Sequence, residues 1–337
     1  MSTPILEARG LTRVFRVGGF GNRGELHAVD DADFVINESE IVALVGESGS
    51  GKSTIARLLA QVYTPSSGEI LFQGTPLLQL RSRHDQMRYR AAVPMVFQDP
   101  FSSLNPSYRV SHGILRGLKL HRPDLDASGR RAEAERVTEV VGLSPASEML
   151  EKYPYEMSGG QRQRIGFAQA LAYRPKVILA DEPVSMLDIS IRIGLLNVME
   201  KLRDDEQVSL LYITHDIASA RYVADRMMVM YAGRVVESGP VEEVLQESEH
   251  PYTQLLVAAV PDPRTRLTMT AKQAAGEPPK VVNPKPGCRF ADRCPLVREV
   301  CRHVTPPLLE LQPGHEVACH VAAENAGRAE DSMGAAA

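Results

Sequence analysis

The stretch Gly46-Glu47-Ser48-Gly49-Ser50-Gly51-Lys52-Ser53-Thr54 matches G-x-x-x-x-G-K-S at every fixed position. Such a loop has meaning only between a strand and a helix, and its flanks supply both. Glu40 to Val45 is a short apolar run that reads as a buried strand, and Thr54 to Ala60 reads as a helix. Glycines 46, 49 and 51 let the backbone wrap closely, so that successive N–H groups and the helix N-terminus point at one anion. Lys52 would reach the β and γ phosphates, and the Ser53 hydroxyl would ligate magnesium. A chance glycine-rich turn after a strand is the bland alternative, and the register of strand, loop and helix disfavours it. The stretch reads as a nucleoside triphosphate site.

The remaining composition narrows what the triphosphate could serve. A chain of 337 residues suits one domain plus an extension. The net charge is -4 and no block of Lys or Arg occurs, so nucleic acid is not expected as a partner. No apolar run approaches the roughly eighteen residues of a membrane span, and the polar start Met1-Ser2-Thr3-Pro4 lacks a secretory pattern. A cytosolic protein is expected.

In chain order, Ile5 to Val17 alternates well enough for an edge strand, running into the loop Gly18 to Gly24, with a second strand at Ala32 to Ile36. Phe15, at the end of the first, could stack on an adenine ring or pack on its own sheet. Gly68 to Gly74 reads as another short strand between turns. At Val93 to Pro100 a buried strand ends in Gln98, whose amide oxygen could touch magnesium and the attacking water. From Pro106 to Pro154 the pattern turns helical, with segments at Val110 to Leu118, Arg130 to Val141 and Ala146 to Glu151.

Ser158-Gly159-Gly160-Gln161 then precedes a helix expected over Gln163 to Ala172, with Ser158 as N-cap and the glycines as a second anion cradle. Lys176 to Pro183 is an apolar strand ending in Asp181 and Glu182. Such strands belong in a parallel sheet whose ligands bind at the carboxyl ends. Asp181 is placed to hold the magnesium shell and Glu182 to polarise water. A further apolar strand, Ser209 to Thr214, ends at His215, on the γ-phosphate side.

The order of these motifs, with Ser185-Met186-Leu187-Asp188 between the last two, resembles the ATP-binding cassette (ABC) ATPases across roughly residues 5 to 240. The resemblance implies that Gly46 to Thr54 is Walker A, Gln98 the Q-loop and Met157 to Gln161 the signature. It likewise makes Asp181 and Glu182 Walker B, Asp188 the D-loop and His215 the switch. Met157 stands where the family usually has Leu, and Met186 where Ala is commonest; both are apolar exchanges compatible with catalysis.

His250-Pro251-Tyr252-Thr253 and the tail Gly287 to Pro295 look like the C-terminal extension of the oligopeptide and dipeptide importer ATPases, whose relatives also drive nickel or oligosaccharide uptake. An exporter would usually lack both features. A soluble cassette ATPase acting on DNA or ribosomes should carry a coiled-coil insertion, a second cassette or a basic surface. The resemblance therefore implies an α/β P-loop NTPase fold with a parallel core sheet, an antiparallel β subdomain and a helical subdomain at about 106–175 within a nucleotide domain at 1–260. An extension at 261–321 and a disordered tail at 322–337 would follow. It implies an ATPase on the cytoplasmic side of a cell membrane, coupling hydrolysis to translocation of peptide cargo. Its partners would be a second ABC ATPase forming a heterodimer, two transmembrane permease subunits and an extracellular binding protein. Each ATP would lie between Walker A of one subunit and the Ser158 and Gly160 groups of the other.

The four cysteines, Cys288, Cys294, Cys301 and Cys319, all fall in the extension. In a reducing compartment they argue for metal before disulfide. Paired C-x-x-C knuckles are missing, so the spacing leaves room for a larger cubane, and the resemblance favours a four-iron four-sulfur (4Fe-4S) cluster. Zinc stays open because His303, His315 and His320 lie among the thiols, as do free or disulfide-forming cysteines. The segment looks too poor in apolar residues for its own core, so a metal is expected to staple it.

Overall fold

The computed structural model describes residues 3–18, 24–99, 104–259 and 281–334, with side chains described to residue 327. Two long strands open the chain, β1 (Pro4–Val17) and β2 (Gly24–Asn37), followed by β3 (Ile41–Val45) and helix α1 (Lys52–Leu59). Next come β4 (Ser67–Phe72), β5 (Thr75–Pro76), α2 (Arg83–Ala92) and β6 (Met95–Val96). The helical stretch is α3 (Val110–His121), α4 (Ala127–Val140), α5 (Ala146–Glu151) and α6 (Gly159–Ala172). The chain then alternates through β7 (Val177–Asp181), α7 (Ile189–Asp204), β8 (Ser209–Thr214) and α8 (Ile217–Val223). It continues with β9 (Arg226–Tyr231), β10 (Arg234–Pro240), α9 (Val241–Gln246) and α10 (Pro251–Ala258). Beyond residue 280 lie α11 (Glu299–His303), β11 (Leu309–Gln312), β12 (His315–Val317) and α12 (His320–Gly334).

One sheet has the order β2-β1-β4-β5, and the other β11-β12-β10-β9-β3-β8-β7-β6. In the second, β3, β6, β7, β8 and β9 pair in parallel, and every residue of β3, β7 and β8 is buried. That is possible only if both faces are covered, and the period of two shows it. Ile41, Ala43 and Val45 of β3 join one core with Ile165 and Phe167 of α6, while Val42 and Leu44 join the other with Leu6 of β1 and Ile55 of α1. The carboxyl ends of all these strands therefore open at the rim between the two cores.

Several expectations are corrected. β1 is not an edge strand, because β2 flanks it on one side and β4 on the other. Register shifts near Ala8, Leu11 and Arg13 break its alternation, which blurred this in the sequence. The second strand begins at Gly24 rather than Ala32; residues 19–23 of the expected loop lie outside the described residues. The strand before Gln98 is only Met95–Val96. Helix α6 starts at Gly159, so the two glycines form its first turn rather than a loop before it.

The C-terminal extension is not a separate staple. β12 adds antiparallel to β10, pairing Val317 with Glu237 and Glu316 with Ser238, and so extends the central sheet. Phe290, Cys301, Val317, Val321 and Ala322 are buried there, which supplies the apolar contacts that the sequence reading found too few. Where a disordered tail was expected from Ala322, α12 continues to Gly334. The expected boundary at 260 and the tail end, 335–337, lie outside the described residues.

Candidate functional site

The loop after β3 turns over two close approaches. A Cβ on Gly46 would stand 2.2 Å from the Met230 carbonyl oxygen, and one on Gly51, at φ 110°, 2.1 Å from that of Ala28. Only glycine fits at either position, so the loop is pressed onto β9 and β2 before it enters α1. Lys52, 5% exposed, donates to the carbonyls of Gly46 (2.8 Å) and Glu47 (2.9 Å). Burial pushes its ammonium below the ordinary range, while Glu182, Asp181 and Glu47 pull the other way. Among the described residues the buried Ser50 hydroxyl has no hydrogen-bond partner.

The end of β7 brings both carboxylates in. Ser53 Oγ donates to Asp181 Oδ1 at 2.9 Å. Burial raises the Asp181 carboxyl, against the Ser53 hydrogen bond and Arg57. One residue further, Glu182 sits in the left-handed region at φ 47°, its N–H bonded to the Ile213 carbonyl at 3.0 Å. Such a conformation costs a non-glycine residue of order 1 kcal/mol, and here it turns the side chain toward Gln98 and His215. Gln98 Nε2 donates to Glu182 Oε2 at 3.0 Å and lies 3.3 Å from Ser185 Oγ, and His215 Nδ1 stands 3.4 Å from the same Glu182 oxygen.

Lys52, Ser53, Gln98 and Glu182 line a cavity of about 1040 Å³ together with Phe15, Glu47 to Gly49, Gly51, Thr54, and Ala232 and Gly233 of the β9–β10 turn. Asp181 and His215 are not in its lining and meet it through their contacts with Ser53 and Glu182. Phe15 meets Tyr63 edge-on at 5.3 Å between ring centres, with the Arg13 guanidinium 4.6 Å from its ring centre. Tyr63 and Arg57 also line the cavity and were not singled out in the sequence. Only their positions, Arg57 within the loop's helix and Tyr63 just past it, could have flagged them.

Ser158, Gly160, Gln161 and Asp188 do not join this group, since none lines the cavity. Ser158 and Gln161 instead form a reciprocal cap on α6: Gln161 N–H donates to Ser158 Oγ at 3.2 Å, and Ser158 N–H to Gln161 Oε1 at 3.0 Å. Gly160 has a role within the chain, because a Cβ there would stand 2.3 Å from Ile191 Cγ2 on α7. Asp188 is exposed at the start of α7, between the exposed apolar side chains Met186 and Ile189. Gln163 Nε2 donates to the Phe97 carbonyl at 3.1 Å, tying α6 to the strand end that carries Gln98.

In the extension all four cysteines are free, and Cys288 N–H donates to the Cys301 carbonyl at 2.7 Å. Burial pushes the Cys288 thiol up to about 11, with Cys301, Cys294 and Cys319 adding to it. Four thiols are the right donors for an iron–sulfur group or zinc. Yet among the described residues no three His, Cys, Asp or Glu side chains form a group that could hold a metal ion. The metal staple expected from the sequence is therefore not shown. The three histidines are engaged elsewhere: His303 with Glu299 (2.8 Å), His315 with Glu237 (2.9 Å) and His320 with the Val304 carbonyl (3.0 Å). Among the described residues no helix is long and apolar enough to cross a membrane.

Comparison with known proteins places this geometry. The family described as ABC transporter matches residues 29–185, and that described as Oligopeptide/dipeptide transporter, C-terminal region, matches residues 236–301. The probable peptide ABC transporter ATP-binding protein y4tS of Sinorhizobium fredii is 42% identical over 96% of this chain and 91% of its own length. The oligopeptide transport ATP-binding protein AppF of Bacillus subtilis is 39% identical over 94% and 97%. Among solved structures, the dimeric post-hydrolysis state of the ATP-binding cassette MJ0796 bound to ADP and Pi superposes with a TM-score of 0.62 and 25% identity, covering 70% of this chain and 99% of that one.

Proposed function

We propose, since the chain belongs to the ABC transporter ATP-binding family with an oligopeptide/dipeptide transporter C-terminal region, that it hydrolyses ATP to drive peptide import across a membrane from the cytoplasmic side. The observation that carries the catalytic reading is the convergence of Gln98 and His215 on one oxygen of Glu182, beside the buried Ser53–Asp181 pair. The importer reading rests on the extension and on relatives named for peptide or oligopeptide transport.

In this reading the amides of Gly49 to Thr54 cradle the phosphates and Lys52 leaves the Gly46 and Glu47 carbonyls for the β and γ phosphates. Ser53 and Gln98 would hold magnesium, with Asp181 behind Ser53, where a divalent cation would offset a carboxylate that burial disfavours. When bound, that ion neutralises charge developing on the transferred phosphoryl group. Glu182 accepts from Gln98 and orients a water for attack on the γ-phosphorus, drawing off its proton. His215, on the same carboxylate oxygen, faces the phosphoryl group as it leaves.

One chain supplies only half of the donors around the γ-phosphate. Ser158, Gly160, Gln161 and Asp188 lie outside its cavity, which supports a site completed by the same motifs of a second ATPase. A heterodimer with a related subunit, seated on two transmembrane subunits fed by an extracellular binding protein, is the assembly we propose. Within the extension we propose that the four cysteines close around a 4Fe-4S cluster, on the strength of four free thiols in one segment, two of which are tied by the Cys288 N–H to Cys301 carbonyl hydrogen bond. Iron and acid-labile sulfide in anaerobically purified protein test this, and stoichiometric zinc without iron overturns it. Reconstitution with the permease and binding protein tests the cargo. ATP-dependent uptake of peptide is expected, and uptake of oligosaccharide or nickel but not peptide overturns it.

A further inference from the structure

The motif leaves Glu47 free to be any residue, yet the structure holds it on three sides. Its N–H donates to the hydroxyl of Tyr252 at 3.0 Å, and its carbonyl accepts from Lys52 at 2.9 Å. Its carboxylate takes both arms of Arg293, at 3.1 and 3.2 Å. Tyr252 is fully buried in α10, and Arg293 lies in the extension one residue before Cys294. The Arg293 guanidinium sits 5.7 Å from the ring centres of both Tyr231 and Phe290, so it is fixed by packing before it meets the carboxylate. A planar fork gripping a carboxylate in parallel contacts resists rotation as well as translation.

We infer that Arg293 is a positioning residue for nucleotide binding, acting through Glu47 on the phosphate loop. A cradle of consecutive N–H groups binds an anion well only if its backbone is held before the anion arrives. Glu47 begins that cradle and carries the carbonyl on which Lys52 rests. The extension therefore belongs mechanically to the ATP site, through the Arg293–Glu47 pair. Whatever holds Cys294 in place also holds the strut beside it. This inference rests on the ATPase reading above.

The test measures ATP affinity by titration calorimetry in the full-length chain paired with its partner ATPase, in a Glu182→Gln background so that ATP is not consumed. Arg293→Ala is expected to weaken MgATP binding about fivefold or more, the lower end of couplings between sites. In the Glu182 wild-type background the same change raises KM and leaves kcat at saturating ATP within about twofold. Arg293→Lys, which keeps the charge and loses the fork, falls between. Glu47→Gln weakens binding to a similar degree with the extension untouched, and the double variant is no worse than either single change. Unchanged affinity in Arg293→Ala, or additive losses in the double variant, overturns the inference. So does a fall in kcat equal to the rise in KM. Lys52→Ala serves as the control: if it binds ATP as well as the unsubstituted chain, the ATP-site reading itself fails, independently of the strut.

Discussion

The two wings of the central sheet solve different problems. On the parallel wing, β3, β6, β7 and β8 release their carboxyl ends at one rim; β6, β7 and β8 each deliver a candidate reacting group within two residues of the strand's end, and β3 delivers Lys52 and Ser53 through the phosphate loop. On the antiparallel wing, β10, β11 and β12 contribute none of the residues that line the cavity, and β10 instead takes up the extension through β12. Chemistry on the first wing follows from local spacing, and attachment on the second follows from contacts across the whole chain. Glu237 of β10, fully buried, shows the second kind: it accepts from the N–H groups of Glu249 (2.8 Å) and His250 (3.1 Å) and pairs with His315 of β12.

The comparison breaks most sharply at Glu182. Glu182→Gln keeps shape and removes the charge, so ATP binding is expected to survive while hydrolysis in the assembled transporter falls roughly 100-fold or more. Single-turnover measurements separate the two. A wild-type rate would mean that the parallel wing's rim does not carry the chemistry assigned to it.

On the other wing the corresponding test is packing. Phe290 is 1% exposed and lies 5.2 Å from Tyr231 and 5.5 Å from Tyr252 between ring centres. Phe290→Ala is expected to cost about 3–5 kcal/mol of stability, read by denaturant unfolding. If the loss is nearer 1 kcal/mol, the extension is held by something other than this aromatic contact.

The difference between the wings also explains what could be read beforehand. The residues from Gly46 to Thr54, Gln98, Asp181, Glu182 and His215 stand out because phosphate and water chemistry demand those types at strand ends, and the structure places β8 at Ser209–Thr214 as expected. The β9–β10 hairpin was legible and missed: Ala232 and Gly233, both at positive φ, form a two-residue turn between apolar runs. The Arg293–Glu47 pair was not legible, because its partners lie 246 residues apart and neither is unusual where it stands. Strands as short as β11 and β12, with exposed Leu309, likewise leave no periodicity to detect.

A smaller effect distinguishes the wings by pH. The hydrogen bond to Glu237 raises His315 above its ordinary value, with Glu243 and Glu249 adding to it, against partial desolvation. A histidine whose folded pKa exceeds its unfolded value of about 6.5 stabilises fully below that pH and loses the contribution as pH rises through the folded value. His250, which burial holds down to about 4, works oppositely, but it is common to both proteins compared. The stability gap between wild type and His315→Gln should therefore be widest near pH 6 and narrow on going to pH 9. A gap independent of pH would remove the charge from this contact and leave only its hydrogen bond.

The smallest expected effect falls at Phe15, where the sequence left two readings. Its ring meets Tyr63 edge-on at an interplanar angle of 77°, so packing on its own neighbours is real. Yet both rings line the cavity that contains the phosphate loop, and Arg13 lies 4.6 Å from the Phe15 ring centre, a contact that an arriving base could replace. An aromatic contact of this kind is worth about 0.5–1.5 kcal/mol, which corresponds to roughly a two- to tenfold change in affinity. If Phe15 receives the base, Phe15→Ala should weaken ATP by that factor and leave inorganic tripolyphosphate unaffected, since the latter uses only the loop. If Phe15 merely packs, both ligands should bind as before while the melting temperature drops. Equal weakening of the two would point instead to a displaced phosphate loop, and would draw β1 into the same positioning role that Arg293 plays from the other wing.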